Sequence, residues 1–335
     1  MKNNFLSTLD YSATELHALL DLAAKVKSGE CTEKLPGKVM GMLFFNSSLR
    51  TRMSFERALF DLGGHAVNLA VGNGTWDLEM EDGVIMDGSK AEHIREAAPV
   101  ISRYADIMGV RCFAEGKDWK KDRQDPVIKT FARLATVPLI NMESAVWHPC
   151  QALADALTWR ELGLRKKEKI VLTWAWHPKA LPMAVPNSVL AVASQLGHDI
   201  TVMRPEPFAL DRELFATCKS LAREAGGNVT ETDDQSALDG AKVVYAKSWG
   251  SIEYYSDEAK EKEVRSKYRD WQVTMEWMKK TNDAKFMHCL PVRRNVIVSD
   301  AVLDSEKSVV VDQAENRLHV QAALLLKLLS KEENR

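Results

Sequence analysis

Glycine-rich phosphate loops are missing from this 335-residue chain: no GxGxxG follows any predicted strand, and no GxxxxGK runs into Ser or Thr. Their absence argues against NAD or a nucleoside triphosphate as ligand, and so against a dehydrogenase with the same βα rhythm. Cysteine is scarce. The five, Cys31, Cys112, Cys150, Cys218 and Cys289, are odd in number and widely spaced without a CxxC pair. Neither a disulfide framework nor a metal site is expected, and a reducing interior fits best. No apolar run approaches the ~20 residues of a membrane helix, and the start, Met1-Lys2-Asn3-Asn4-Phe5-Leu6, lacks the apolar core of a signal peptide. A soluble, cytoplasmic protein is expected. Nor does one sign of charge dominate: 45 basic and 47 acidic residues leave a net charge of -2, with no basic block to grip nucleic acid.

What is there is a large apolar fraction, 45%, in a chain longer than one core usually serves. Short apolar runs alternate with amphipathic stretches, the signature of parallel sheets covered by helices. Helices are predicted over 12–27, 50–62, 91–104 and 126–135, and strands over 39–45, 66–69, 107–110 and 138–141. A helix over 148–161 opens a second series. Its strands are 169–173, 200–203, 229–231, 243–246, 286–287 and 309–311, with helices over 185–196, 212–225 and 314–329. The fold class expected is α/β with two doubly wound parallel-sheet domains, residues 1–145 and 146–314, and a C-terminal helix over 315–335 packing back on the first. The charged stretch 254–269 reads as a solvated helix or loop.

Three segments carry chemistry. Phe44-Phe45-Asn46-Ser47-Ser48-Leu49-Arg50-Thr51-Arg52 runs from a hydrophobic strand into hydroxyls and guanidiniums at a helix start. Backbone N–H groups there favour an anion, and Ser48, Thr51, Arg50 and Arg52 add donors shaped for phosphate oxygens. In isolation Ser48 would be a plain N-cap and the arginines surface charges. In His148-Pro149-Cys150-Gln151, proline fixes a helix start and sets His148 and Gln151 about one turn apart. An imidazole and an amide can then address the oxygen and nitrogen of a small carbamoyl group, whereas a buried capping histidine is the bland alternative. His288-Cys289-Leu290-Pro291-Val292-Arg293-Arg294 follows a predicted strand, where doubly wound folds place ligands. Its two arginines could equally form a salt-bridged surface turn.

Taken together with Arg111 after the strand Gly109-Val110, these segments resemble, in order and spacing, the aspartate and ornithine carbamoyltransferase superfamily over essentially the whole chain. Within it the acylornithine branch is nearest, on 44–52, 83–88, 141–143, 173–179, 245–249 and 314–317. Ordinary ornithine enzymes carry an acidic DxxxSMG-type segment where this chain has Ala246-Lys247-Ser248-Trp249-Gly250. A lysine there suits an α-carboxylate whose neighbouring amine has been acylated.

The resemblance implies transfer of the carbamoyl group of carbamoyl phosphate to the side-chain amine of an N-acylated ornithine, with no metal and no organic cofactor. It implies that Ser48, Leu49, Arg50, Thr51 and Arg317 hold carbamoyl phosphate, with Trp76 supplied by a neighbouring subunit. Arg111 and His148 would polarise the carbonyl, Gln151 with the backbone at Cys289 and Leu290 would grip the carbamoyl NH2, and Pro149 and Cys150 would also bind carbamoyl phosphate. Glu143, Lys247, Leu290 and, more weakly, His177 and Lys179 would bind the acylornithine. A homotrimer with shared active sites and a knot around 177–186 are also implied. At Ala91, acetyl-specific relatives tend to carry Glu and succinyl-specific ones Pro. Trp119, Cys150 and Glu315-Asn316-Arg317-Leu318-His319-Val320 look more like the acetyl enzymes, so N-acetylornithine is expected first, with N-succinylornithine the alternative. A non-catalytic phosphometabolite-binding protein would need the phosphate cradle but not His148, Gln151 and the HCLP loop.

Overall fold

The computed structural model describes residues 4–330, so the first three residues and the 331–335 end of the expected C-terminal helix lie outside it. Its contacts group the chain into two compact α/β units: 4–114, 121–150 and 317–330 in one, 115–120 and 151–316 in the other.

The strands of the first unit are β1 (Val39–Phe44), β2 (His65–Ala70), β3 (Leu78–Glu79), β4 (Glu92–His93), β5 (Ile107–Arg111) and β6 (Leu139–Glu143). Four of them form a parallel sheet in the order β2-β1-β5-β6, with β3 and β4 paired separately. Helices α1 (Ala13–Ser28), α2 (Arg50–Leu62), α3 (Ile94–Tyr104), α4 (Trp119–Asp122) and α5 (Pro126–Leu134) accompany them. Strands β5 and β6 are buried along their whole length, as expected for a sheet covered on both faces. Gly109 leaves room in β5 for two methionines, since a Cβ there would lie 2.5 Å from Met40 Cε and 2.8 Å from Met142 Sδ and both side chains would have to shift. Leu43, Ile94, Ala98, Met108, Val110, Phe131 and Leu139 make up this core.

Helix α6 (Pro149–Glu161) begins in the first unit and continues in the second, which adds β7 (Lys169–Trp174), β8 (Asp199–Met203), β9 (Asn228–Thr232), β10 (Ala241–Lys247) and β11 (Lys285–Met287). Their parallel order is β11-β10-β7-β8-β9. Around it lie α7 (Ala184–Gln195), α8 (Arg212–Ala225), α9 (Glu258–Ser266), α10 (Met275–Lys279) and α11 (Asp300–Leu303), and the chain closes with α12 (Val310–Leu329). Helix α7 is buried at every position, so only its length separates it from a strand by composition.

Each sheet has one place where strand addition reverses direction, between β1 and β5 in one unit and between β7 and β10 in the other. The crevice beyond the C-terminal ends of such strands is where doubly wound folds bind ligands.

Two expectations change. The strand expected over 309–311 is the start of α12: only Ser308 bridges to Phe286. Burial then recurs at Val310, Gln313, Asn316, Arg317 and Val320, a helical period that overrides the β preference of three successive valines. The helix expected from residue 91 starts at Ile94, since Glu92–His93 pairs with β3 and the His93 side chain caps α3 by accepting from Arg95 N. The 254–269 stretch is largely solvated, as expected, yet α9 buries an ion pair, Arg265 to Glu261 at 2.6 Å.

Candidate functional site

In the first unit, β1 delivers the chain to the start of α2. Leu49 is the residue before the helix, 66% exposed, and Ser48 Oγ accepts from the Thr51 backbone N–H at 3.3 Å. Ser48 thus bonds into the first turn without being the N-cap of the bland reading, a place that Leu49 takes, and leaves the other N-terminal N–H groups to point along the helix axis. Arg50 is half-buried beside it. Arg52 instead lies over the Phe44 ring, 4.6 Å from its centroid.

Across the reversal point, β5 and β6 end in register at Arg111 and Glu143. Arg111 Nη1 donates to Glu143 Oε2, and both side chains are about nine-tenths buried. Glu143 Oε2 also lies 3.5 Å from His148 Nε2. Arg317 completes the group: Nη1 is 3.4 Å from His148 Nε2, and Nη2 donates to Thr51 Oγ1 at 3.1 Å. Thr51, Arg111, Glu143, His148 and Arg317 thus form one buried cluster of two guanidiniums, an imidazole, a carboxylate and a hydroxyl. A phosphate-sized anion is what such a surplus of donors suits.

The loop carrying His148 is pinned from behind by Asp125, which accepts from Ser144 Oγ and from the Ala145 N–H at 3.0 Å. Burial pushes the Asp125 carboxyl up to about 6. Pro149 opens α6 as expected. Cys150 is fully buried with its Sγ 4.0 Å from the Asn141 carbonyl, and burial pushes its thiol up to about 12, which rules it out as a nucleophile at neutral pH. Trp76 is 68% exposed, and Ala91 ends an exposed run from residue 81. The structure joins neither to the buried cluster.

In the second unit, the reversal point sets the ends of β7 and β10 side by side, followed by His177 and ending on Lys247. Arg293 Nε donates to His177 Nε2 at 3.0 Å, and the other ring nitrogen, Nδ1, lies 2.9 Å from the Lys179 carbonyl and 3.0 Å from the Lys179 N–H. Burial first, then the charges of Arg293, Lys247 and Arg265, depress the His177 pKa and keep the ring neutral. Arg294 is the salt-bridged surface arginine, paired with Asp300 and Asp304. Arg293 is not, and grouping it with its neighbour concealed its place beside His177 and Lys247.

Gln151 Nε2 donates to Asp155 Oδ1 at 2.8 Å. Gln313 Nε2 donates to the same oxygen at 2.7 Å, and Gln313 Oε1 accepts from the His288 N–H at 2.9 Å. His288 Nδ1 accepts in turn from the Leu290 N–H at 2.9 Å. Gln151 and the Cys289–Leu290 backbone thus belong to one network. Sequence reasoning missed its hub, Asp155. The signal was present as a lone carboxylate in Ala152-Leu153-Ala154-Asp155-Ala156-Leu157, one turn after Gln151.

Residues 3–161 match the family described as aspartate/ornithine carbamoyltransferase, carbamoyl-P binding domain, and residues 173–328 its Asp/Orn binding domain. The chain is 46% identical to the N-acetylornithine carbamoyltransferase of Xanthomonas axonopodis pv. citri over 98% of this chain and 96% of that one. It is 41% identical to the N-succinylornithine carbamoyltransferase of Bacteroides thetaiotaomicron over 87% of each. Among solved structures it resembles acetylornithine transcarbamylase complexed with acetylcitrulline, at 45% identity and a TM-score of 0.95, covering 98% of this chain and 100% of that one. A glutamate-to-alanine variant of N-acetyl-L-ornithine transcarbamylase, complexed with carbamyl phosphate and N-succinyl-L-norvaline, matches at 46% identity and a TM-score of 0.94 over 97% of this chain and 99% of that one.

Proposed function

The chain belongs to the aspartate/ornithine carbamoyltransferase family, and from that premise we propose that it transfers the carbamoyl group of carbamoyl phosphate to the side-chain amine of N-acetyl-L-ornithine. The products are N-acetyl-L-citrulline and phosphate, as a step of arginine biosynthesis in the cytoplasm. The observation that carries this reading is the buried cluster of Thr51, Arg111, Glu143, His148 and Arg317 at a strand-order reversal.

In the proposed reaction the N-terminus of α2, with Ser48, Leu49, Arg50, Thr51 and Arg317, holds the phosphate end. Arg111 and His148 donate to the carbonyl oxygen. Gln151 and the Cys289 and Leu290 carbonyls accept from the NH2. The neutral δ-amine attacks the carbonyl carbon, the donors stabilise the oxyanion as it forms, and the C–O bond to phosphate breaks, phosphate leaving with the amine proton. Glu143 attracts the amine end of the acceptor, while Lys247 with Arg293 and His177 addresses its α-carboxylate. Most of the acceleration then comes from placement and preset charge.

Lys247 in place of a carboxylate supports an acylated over a free ornithine. Ala91 favours a second reading, N-succinyl-L-ornithine. It removes the glutamate that the resemblance puts there in acetyl-specific relatives, and a glutamate-to-alanine variant is a neighbour complexed with a succinylated ligand. The protein is proposed to act as a homotrimer with Trp76 completing a neighbour's site, supported by the exposure of Trp76, 68%, and of Ile85, 81%. A knot around 177–186 is supported by hydrogen bonds from Trp176 N to Trp271 O and from Gly250 N to Leu181 O.

Product analysis decides. The protein is incubated with carbamoyl phosphate and ornithine, N-acetylornithine or N-succinylornithine, and the products are separated by mass. N-acetylcitrulline should dominate. Citrulline as the main product, or phosphate released without any carbamoylated product, would refute the reading.

A further inference from the structure

Asp155 touches neither substrate in the proposed reaction, yet its side chain is wholly removed from solvent and sits between two amides of the second unit. A carboxylate oxygen can only accept, so both Gln151 and Gln313 must turn their NH2 ends to it. For Gln313 this choice is checked independently. Its other end meets the His288 backbone N–H, which can only donate, so that end must be the oxygen. One carboxylate therefore orients two amides, and the second of them holds the His288–Leu290 loop, whose Leu290 adopts a left-handed φ of 56° that favours glycine. The Tyr245 hydroxyl, which accepts from Gln313 Nε2 at 3.2 Å, is kept protonated by burial and next by the Asp155 charge.

We propose that Asp155 is a positioning residue for carbamoyl transfer: it assigns the oxygen end of the Gln151 amide to the carbamoyl NH2 and, through Gln313, sets the backbone of the HCLP loop. The inference rests on the proposed role of Gln151. Without the carboxylate, the Gln151 amide could rotate and present NH2 to NH2, which repels where the reaction needs an acceptor. A buried charge kept only for packing would predict nothing about which end of the amide faces the donor.

The test is a reciprocal exchange. Gln151→Glu sets two carboxylates head to head, and transfer should fall roughly a hundredfold or more. Asp155→Asn leaves an amide that can turn either way, and kcat should fall roughly tenfold to a hundredfold with little change in KM for carbamoyl phosphate. In the double variant, which combines Q151E with D155N, the amide at position 155 turns its NH2 to the new carboxylate and relieves the repulsion, while Gln313, which met the same Asp155 oxygen, loses its acceptor there. The double variant should exceed Gln151→Glu at least tenfold in kcat. A double variant no better than Gln151→Glu, or losses that simply multiply, would overturn the proposal. So would a near-normal Asp155→Asn. If Asp155→Asn does not fold, the comparison of Gln151→Glu with the double variant decides alone, and a double variant that fails to fold while Gln151→Glu folds makes Asp155 structural and overturns the proposal. Wild type is assayed alongside: absence of transfer there refutes the functional reading itself, while transfer without rescue refutes only the role of Asp155.

Discussion

Glu143 holds a charge that the anion site does not need, which makes Glu143→Gln informative. Its Oε2 is paired with Arg111 and lies 3.5 Å from His148 Nε2, with the carboxylate about nine-tenths buried. At ~3.5 Å and an effective dielectric of ~20, two unit charges attract by roughly 5 kcal/mol. Glutamine keeps an oxygen for Arg111 to donate to, so the net loss should be nearer ~1–3 kcal/mol, or roughly 3–10 °C in melting temperature. The Arg111 guanidinium left without its counter-ion is then a better donor to the carbonyl oxygen of carbamoyl phosphate. Carbamoyl phosphate should stabilise the variant more than it stabilises wild type, and its KM should stay level or fall. On the proposed role of Glu143, the acceptor loses the carboxylate that attracts its amine, so the KM for acylornithine should rise roughly tenfold or more. Thermal shift with and without freshly prepared carbamoyl phosphate, followed by steady-state kinetics in both substrates, measures each part. A rise in the carbamoyl phosphate KM equal to that for acylornithine would refute the division of labour between Arg111 and Glu143.

Ala91→Glu should lower succinylornithine turnover relative to acetylornithine by roughly tenfold, from like charges about 4 Å apart weakened by relaxation; an unmoved ratio of the two kcat/KM values would mean that residue 91 does not meet the acyl group. Inactive Trp76→Ala and inactive His148→Ala chains, mixed and reassembled, should form partly active hybrids, and proven mixing without recovered activity would place each site within one chain. Asp125 titrates higher folded than unfolded, about 6 against 3.8, because burial penalises its charge. Its contribution is therefore fully present below pH ~3.8 and lost as pH rises through about 6, on the order of 3 kcal/mol relative to Asp125→Asn. Denaturant melts of both proteins at pH 4 and pH 7.5 would show it, and a gap between them that does not change with pH would refute it.

Strand and helix rhythm was readable wherever burial on one or both faces left an unbroken pattern, as in β1, β5 and β7 or in α8, which begins and ends where its caps Asp211 and Gly226 stand. It failed at 309–311, where three valines mimic a strand and only the spacing of later buried polar residues, Gln313 and Arg317, betrays a helix. The short pieces β3, β4, α10 and α11 carry too few residues for a period to show. Arg111, Glu143, His148 and Arg317 are spread over more than two hundred residues of sequence, so their convergence could come only from family resemblance or from coordinates. Asp155 escaped because one carboxylate in an apolar helix has no spacing signature, and its meaning depends on Gln313, 158 residues away.

The run from residue 81 to Ala91 is exposed throughout, and none of its residues belongs to the core of the first unit. A choice of acyl group placed there is insulated from folding. An alanine codon that ends in a purine is a single base from glutamate and a single base from proline, so a lineage can wander between acetylated and succinylated intermediates without passing through an unfolded ancestor. On the proposed role of residue 91, what such drift must match is the enzyme that supplies the acylated substrate, and the residue would then record metabolic company rather than architecture.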